Sequence, residues 1–96
     1  MVKPKYIVKP SSRFKKDLKR LNNQKQDLEE LYTVISKLAN DKKLDAKYLN
    51  HKLSGSFQGC YECHIQPNWL LIYEIDESFL YLYLIRTGSH SELFGK

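Results

Sequence analysis

Apolar side chains come in two rhythms along this chain, helical in the first half and extended in the second. Tyr6, Ile7 and Val8 are a β-branched and aromatic run stopped by Pro10, which lacks a ladder donor, so the pattern predicts a strand over 4–9. Ser11 or Ser12 then caps a helix in which Phe14, Leu18 and Leu21 recur at i, i+4 and i+7 while Arg13, Lys15, Lys16, Lys19 and Arg20 fill the remaining surface. Leu28, Leu31, Tyr32, Ile35, Leu38 and Ala39 predict a second helix over 24–40. Asn23 and Gln26 are spaced as its capping box, and Asp27, Glu29 and Glu30 suit the positive end of its dipole.

Residues 41–59 are a polar connector in which Tyr48, Leu49, His51 and Leu53 are the points expected to pack back on the body. Three extended runs follow, Cys60 to Gln66, Trp69 to Asp76 and Phe79 to Thr87, parted by Pro67-Asn68 and Glu77-Ser78, turns short enough for an antiparallel meander. The order strand, helix, helix, three strands is α+β, with the helix stripes on one sheet face and the other face left for work. Alternation sets Glu62, His64 and Gln66 against Tyr61, Cys63 and Ile65, and puts Arg86 on the face of Leu80, Leu82 and Leu84 at the strand end. Whether His64 and Arg86 share a face depends on register, which alternation leaves open.

Ninety-six residues make one domain, 1–96, and a net charge of +5 makes a polyanion, nucleic acid first, the natural partner. No stretch approaches the roughly 18 apolar residues of a membrane span, and the basic start, Met1 to Lys5, lacks the apolar run of a signal peptide. The chain is therefore expected in the cytoplasm, away from membranes, with Cys60 and Cys63 as free thiols. Cys60-Tyr61-Glu62-Cys63-His64 spells the c-type haem attachment pattern. Haem attachment goes with export, however, and an offset of three in a strand sends the two sulfurs to opposite faces. A zinc site would need a second ligand pair, so neither metal nor cofactor is expected.

The chemistry concentrates at the end of the chain, where an apolar strand finishes in Arg86, turns at Gly88 and presents His90. With His51 and His64 these residues make a kit for metal-free RNA cleavage: a base for the 2′-hydroxyl, a cation for the phosphorane and an acid for the leaving 5′-oxygen. Any one histidine alone reads more simply as structural; three beside an arginine do not. Trp69, Tyr61 and Phe94 offer flat surfaces for an unpaired base, with core packing the competing role for Trp69 and Tyr61. Lys15, Lys16, Lys19, Arg20 and Lys52 are either a solvated face or a track for RNA phosphates or an acidic partner.

Three segments, His51-Lys52-Leu53-Ser54-Gly55-Ser56-Phe57, Glu62 through Tyr73, and Arg86-Thr87-Gly88-Ser89-His90-Ser91-Glu92-Leu93-Phe94, resemble the YafQ toxins of the RelE/ParE superfamily. That resemblance implies a RelE-like microbial-ribonuclease fold closed by a short C-terminal helical turn, ribosome-dependent cleavage of mRNA in the A site, and neutralisation by a DinJ-type antitoxin in a heterotetramer. It also implies that operator DNA is bound only through the antitoxin complex. Carried over by position, His51, His64, Arg86 and His90 are catalytic, and Asn68, Trp69, Phe94 and Tyr61 bind substrate. Close relatives have aspartate where this chain has Asn68, an amide that cannot accept a proton as a base. The competing expectation is a weak or non-nuclease toxin of the same fold that acts by binding the ribosome or DNA gyrase.

Overall fold

The computed structural model describes residues 3–95; Met1, Val2 and Lys96, and with them part of the basic N-terminus, lie outside it. In chain order the elements are β1 (Ile7–Pro10), α1 (Ser12–Asn23), α2 (Glu29–Ala39), β2 (His51–Lys52), β3 (Tyr61–Gln66), β4 (Trp69–Asp76), β5 (Tyr81–Gly88) and α3 (His90–Phe94), with single 3₁₀ turns at Ala46–Tyr48 and Gly55–Phe57. The strands make one sheet in the order β1-β5-β4-β3-β2, parallel between β1 and β5 and antiparallel elsewhere. The α+β class and the meander are as expected.

Four boundaries differ, each for a local reason. The first strand starts at Ile7, because Tyr6 N–H is spent on the Ala39 carbonyl (2.9 Å), and it runs to Pro10, whose missing donor costs nothing on an edge. The second helix starts at Glu29 rather than 24, and the Asn23–Gln26 capping box does not form. Asn23 is instead the last residue of α1, Lys25 takes a positive φ of 60°, and Gln26 N–H closes the turn on Leu21 O at 3.1 Å. The connector supplies a fifth strand, β2, paired to β3 through His51↔Glu62 and Lys52↔Tyr61. The last strand begins at Tyr81, since Asp76 Oδ1 accepts the Ser78 and Phe79 N–H groups and Leu80 turns at φ 56°.

Both sheet faces are covered, unequally. Phe14, Leu21, Leu31, Val34 and Leu38 from the helices bury Cys63, Ile65, Leu71, Tyr73, Leu82 and Leu84, while the opposite face holds a smaller cluster of Cys60, Leu70, Ile72 and Leu93. Between β4 and β5 the register slips at Ile72/Tyr73, so Ile72 faces Arg86 while Tyr73 faces Leu84. This bulge at Ile85 removes Arg86 from the Leu80-Leu82-Leu84 alternation, contrary to expectation, because one extra residue inverts every later side chain.

Among the described residues no strand lies beside β5 beyond Pro10, and side chains at the start and on the inner face of α1 take over the pairing. Ser11 Oγ, which also caps α1 by accepting Phe14 N–H (2.9 Å), donates to Ile85 O at 2.7 Å. Thr87 N–H donates to Asp17 Oδ2 at 3.1 Å, and Arg20 Nη2 donates to Thr87 O at 3.1 Å. Asp17 is buried, and it also receives Arg86 through Nε (2.8 Å) and Nη2 (3.1 Å) and Arg20 through Nη1 (2.8 Å). Burial pushes the Asp17 carboxyl up, but the bonds from Arg86, Arg20 and Thr87 N–H outweigh it and hold its pKa below the ordinary value. A depressed carboxylate contributes stability that is present above its unfolded pKa, near 4, and lost as the pH falls through the folded value. Asp17→Asn is expected to lower stability by about 3–5 kcal/mol, since two guanidinium groups lose their buried counter-charge. It should also flatten the loss of stability below about pH 4; equal acid sensitivity in parent and variant urea melts would contradict this.

Candidate active site

His51, Glu62 and His64 emerge on the sheet face opposite the helices, because register places His51 against Glu62 and the pleat returns two residues later at His64. α3 brings the third imidazole. Its N-cap Ser89 and Glu92 form a reciprocal capping box, with Glu92 N–H to Ser89 Oγ at 3.2 Å and Ser89 N–H to Glu92 Oε1 at 2.8 Å. The ring centres of His51 and His64 stand 6.4 Å apart, those of His64 and His90 6.0 Å, and those of His90 and Phe94 6.1 Å. Phe94 in turn meets the edge of Phe57 at 5.7 Å. A phosphate with its flanking oxygens spans such a row.

The polar partners of the three rings differ. His51 Nδ1 lies 2.7 Å from Leu49 O, which can only accept, so Nδ1 carries hydrogen and Nε2 faces Glu62 Oε2 at 3.3 Å. That contact accommodates one proton, held by either group. Glu62 is 5% exposed and, among the described residues, its Oε1 has no hydrogen-bond partner, an unusual state for a buried carboxylate in a native fold. Asn68 Oδ1 lies 3.3 Å from His90 N and 3.4 Å from His90 Nδ1, so the amide in the β3–β4 turn bears on the His90 ring. Arg86 approaches along the row Glu62↔Ile72↔Arg86, two strands from Glu62, about 10 Å at ordinary strand spacing. Asp17 occupies its Nε and Nη2, leaving Nη1 as the nitrogen that can turn to a phosphate.

The structure thus brings together His51, His64, His90, Asn68 and Phe94, with Arg86 at their edge. It does not bring Trp69, Tyr61, Lys52 or Arg20 to them. Trp69 is buried on the helix side, where Nε1–H donates to Thr87 Oγ1 (2.9 Å) and that hydroxyl donates to Leu70 O (2.8 Å), so no indole face is open to a base. Tyr61 stacks on Tyr73 at 5.7 Å and opens, on the far side of the sheet, into a hollow of about 600 Å³ that also meets Tyr6 and Lys43. Lys52 sits over the Tyr61 ring at 6.0 Å. Arg20 is spent internally on Asp17, Thr87 O and Glu92, whereas Lys15, Lys16 and Lys19 are exposed. Glu62 and Asp17 escaped the sequence reading, and only the polar break that each makes in an apolar pattern could have flagged them.

Cys60 and Cys63 belong to the clusters on opposite faces, and both are free thiols. Burial first, then Glu62, pushes the Cys63 thiol up to about 12, so it is no nucleophile near neutrality. Among the described residues no group of three or more His, Cys, Asp and Glu could hold a metal ion, and no helix is long and apolar enough to cross a membrane.

A five-stranded sheet with the helices packed on one face and the three histidines on the other is a mixed α+β fold similar to that of solved YafQ toxins. The chain belongs to the YafQ family, whose model, described as the bacterial toxin of a type II toxin-antitoxin system, matches residues 6–95. It is 34% identical over 89 residues to the mRNA interferase toxin YafQ of Escherichia coli K12, covering 92% of this chain and 95% of that protein. Its fold is similar to YafQ in the E. coli DinJ-YafQ toxin-antitoxin complex, with a TM-score of 0.86, 33% identity, and 95% and 99% of the two chains covered. A metal-bound toxin from Helicobacter pylori is similar at a TM-score of 0.88 and 43% identity, over 93% and 99% of the two chains.

Trp69→Phe keeps an aromatic ring but removes the pyrrole half of the indole with its N–H, so it should cost about 1–3 kcal/mol in a denaturant melt. RNA cleavage by the folded variant should stay within about threefold of the parent, as expected of a core side chain. Loss of cleavage with unchanged stability would return Trp69 to the substrate.

Proposed function

We propose that this chain is an mRNA interferase, the toxin of a type II toxin-antitoxin pair, which cuts translated mRNA on the ribosome by acid–base catalysis. The observation that carries the reading is the row of three imidazoles with neighbouring ring centres 6.0 to 6.4 Å apart. The base is His64, whose ring takes the 2′-hydroxyl proton, with His51 beside it held between Leu49 O and Glu62. The 2′-oxygen attacks phosphorus, Arg86 Nη1 offsets charge on the phosphorane, and His90 gives a proton to the departing 5′-oxygen. A 2′,3′-cyclic phosphate and a 5′-hydroxyl are the products. Asn68 accepts no proton; its carbonyl holds the His90 ring. Phe94, 38% exposed and tilted 39° to the His90 ring, offers a flat surface for a base.

Metal plays no part in this scheme, because base, acid and cation are all side chains. Lys15, Lys16 and Lys19 supply a basic helix face for ribosomal RNA phosphates. The complex of the E. coli relative with DinJ supports a DinJ-type antitoxin, bound here as a heterotetramer that carries the operator-DNA contacts, all within the cytoplasm.

The test is primer extension on a reporter mRNA in a reconstituted translation system, with and without ribosomes. Codon-phased cuts that require ribosomes are expected, reduced at least about 100-fold by His90→Gln and by Arg86→Ala. Glu62→Gln, which keeps the shape and removes the charge, is expected to slow cutting about tenfold or more. The cuts should persist with 1,10-phenanthroline, which strips transition metals and leaves ribosomal Mg²⁺. Intact mRNA under growth arrest would instead indicate ribosome blockade or action on gyrase.

A further inference from the structure

Between the C-terminus of α1, the β3–β4 turn and the start of α3 lies a cleft of about 200 Å³, lined by Leu21, Gln24, Gln26, Asn68, Trp69, Ser89 and Glu92. Its apolar lining is Leu21 and Trp69, whose indole N–H is held by Thr87. Its walls carry three amide side chains, Gln24, Gln26 and Asn68. Two of these owe their place to the turn that replaces the expected helix start. Gln24 N–H bonds Arg20 O at 3.0 Å, Lys25 takes φ 60°, and Gln26 N–H returns to Leu21 O at 3.1 Å, so both glutamines border the cleft. A non-glycine residue at positive φ is costly and tends to mark a functional turn. Glu92 is held by Arg20 (2.9 Å) and by the capping box.

The lining selects a class of ligand. Among the described residues none that lines the cleft is a cation, and Glu92 is ion-paired to Arg20, so the lining offers the phosphate backbone of RNA no counter-charge. Amides present a donor and an acceptor together, the pattern that pairs with the edge of a nucleobase, and the volume suits one base rather than a whole nucleotide. Position then selects which base. Asn68 belongs to the cleft and to His90 at once, with Oδ1 3.4 Å from Nδ1. In the reading above, His90 protonates the 5′-oxygen of the nucleotide downstream of the cut. We propose that the cleft binds the base on the 3′ side of the cleaved bond and that Gln24, Gln26 and Asn68 read its edge. This assignment rests on the nuclease reading and adds to it the determinant of sequence preference.

The test maps 5′-hydroxyl ends across a mixed mRNA pool translated in the reconstituted system, comparing parent, Gln24→Ala, Gln26→Ala and Gln26→Glu. Both glutamines are exposed, so melting curves should overlay the parent's. The parent is expected to favour particular bases immediately 3′ of its cuts. Either alanine variant should reduce that preference about tenfold while leaving preferences at other positions intact, as loss of a paired base contact does. Gln26→Glu, an acceptor only, should move the preference toward adenine, cytosine and guanine, whose exposed edges carry an amino donor, and away from uracil. A parent that cuts with no bias at this position, or variants that cut with the parent's bias, would overturn the subsite and leave the nuclease standing. A parent that cuts nothing would remove the nuclease reading and the subsite with it.

Discussion

The buried carboxylate of Asp17 is the contact on which the rest of this molecule depends. It accepts Arg86, Arg20 and Thr87 N–H at once, so a single side chain of α1 fastens the first helix, the last strand and the arginine of the site. Isolated, such a group would be expelled into water or neutralised; with two guanidinium partners and a backbone donor it stays ionised under the sheet edge. The constraint follows from topology. β1 runs alongside β5 only as far as Pro10, and the polar groups of β5 past that point need partners that no strand supplies.

From Asp17 the ionic chain continues through Arg20 to Glu92 and the capping box of α3, two residues from His90. Gly88 shows how closely this chain packs: a Cβ there would stand 2.6 Å from Arg20 Nη2 and 2.8 Å from Glu92 Oε1. Arg86 and His90, which act on one phosphate in the proposed chemistry, are therefore set by the same frame. His51 and His64 are set by a different one, the pairing of β2, β3 and β4. The site lies where the two frames meet, and the β-bulge between β4 and β5 turns Arg86 out of the apolar alternation.

Much of this architecture was legible in the chain. Phe14, Leu18 and Leu21 marked α1, Leu31 and Leu38 marked α2, and the alternating runs after Gly59 marked three strands, because helical and extended periodicities bury different subsets of residues. The misread segment is instructive. Asn23 and Gln26 have the identities of a capping box, yet capping depends on where the preceding helix ends, and α1 continues through Asn23 on the strength of its contacts with β5. The two-residue strand at His51 carries no periodicity at all and exists because β3 offers an open edge. Trp69 and Tyr61 were ambiguous for a related reason, since an aromatic ring serves a core and a stacking surface equally well until its neighbours are known.

Alone, the sequence determined the α+β order, the family motifs, and the identities of three histidines and an arginine, all of which are properties of residue type and local spacing. Tertiary structure decided which of them share a face. Strand register and one inserted residue control that, and both depend on contacts between residues far apart in the chain, such as Asp17 with Thr87 and His51 with Glu62. It also decided that Glu62 is buried beside His51, that Arg20 is spent internally, and that the glutamines ending α1 border His90's neighbour Asn68. Pairing energy between distant segments has no signature in the pattern of either segment taken by itself.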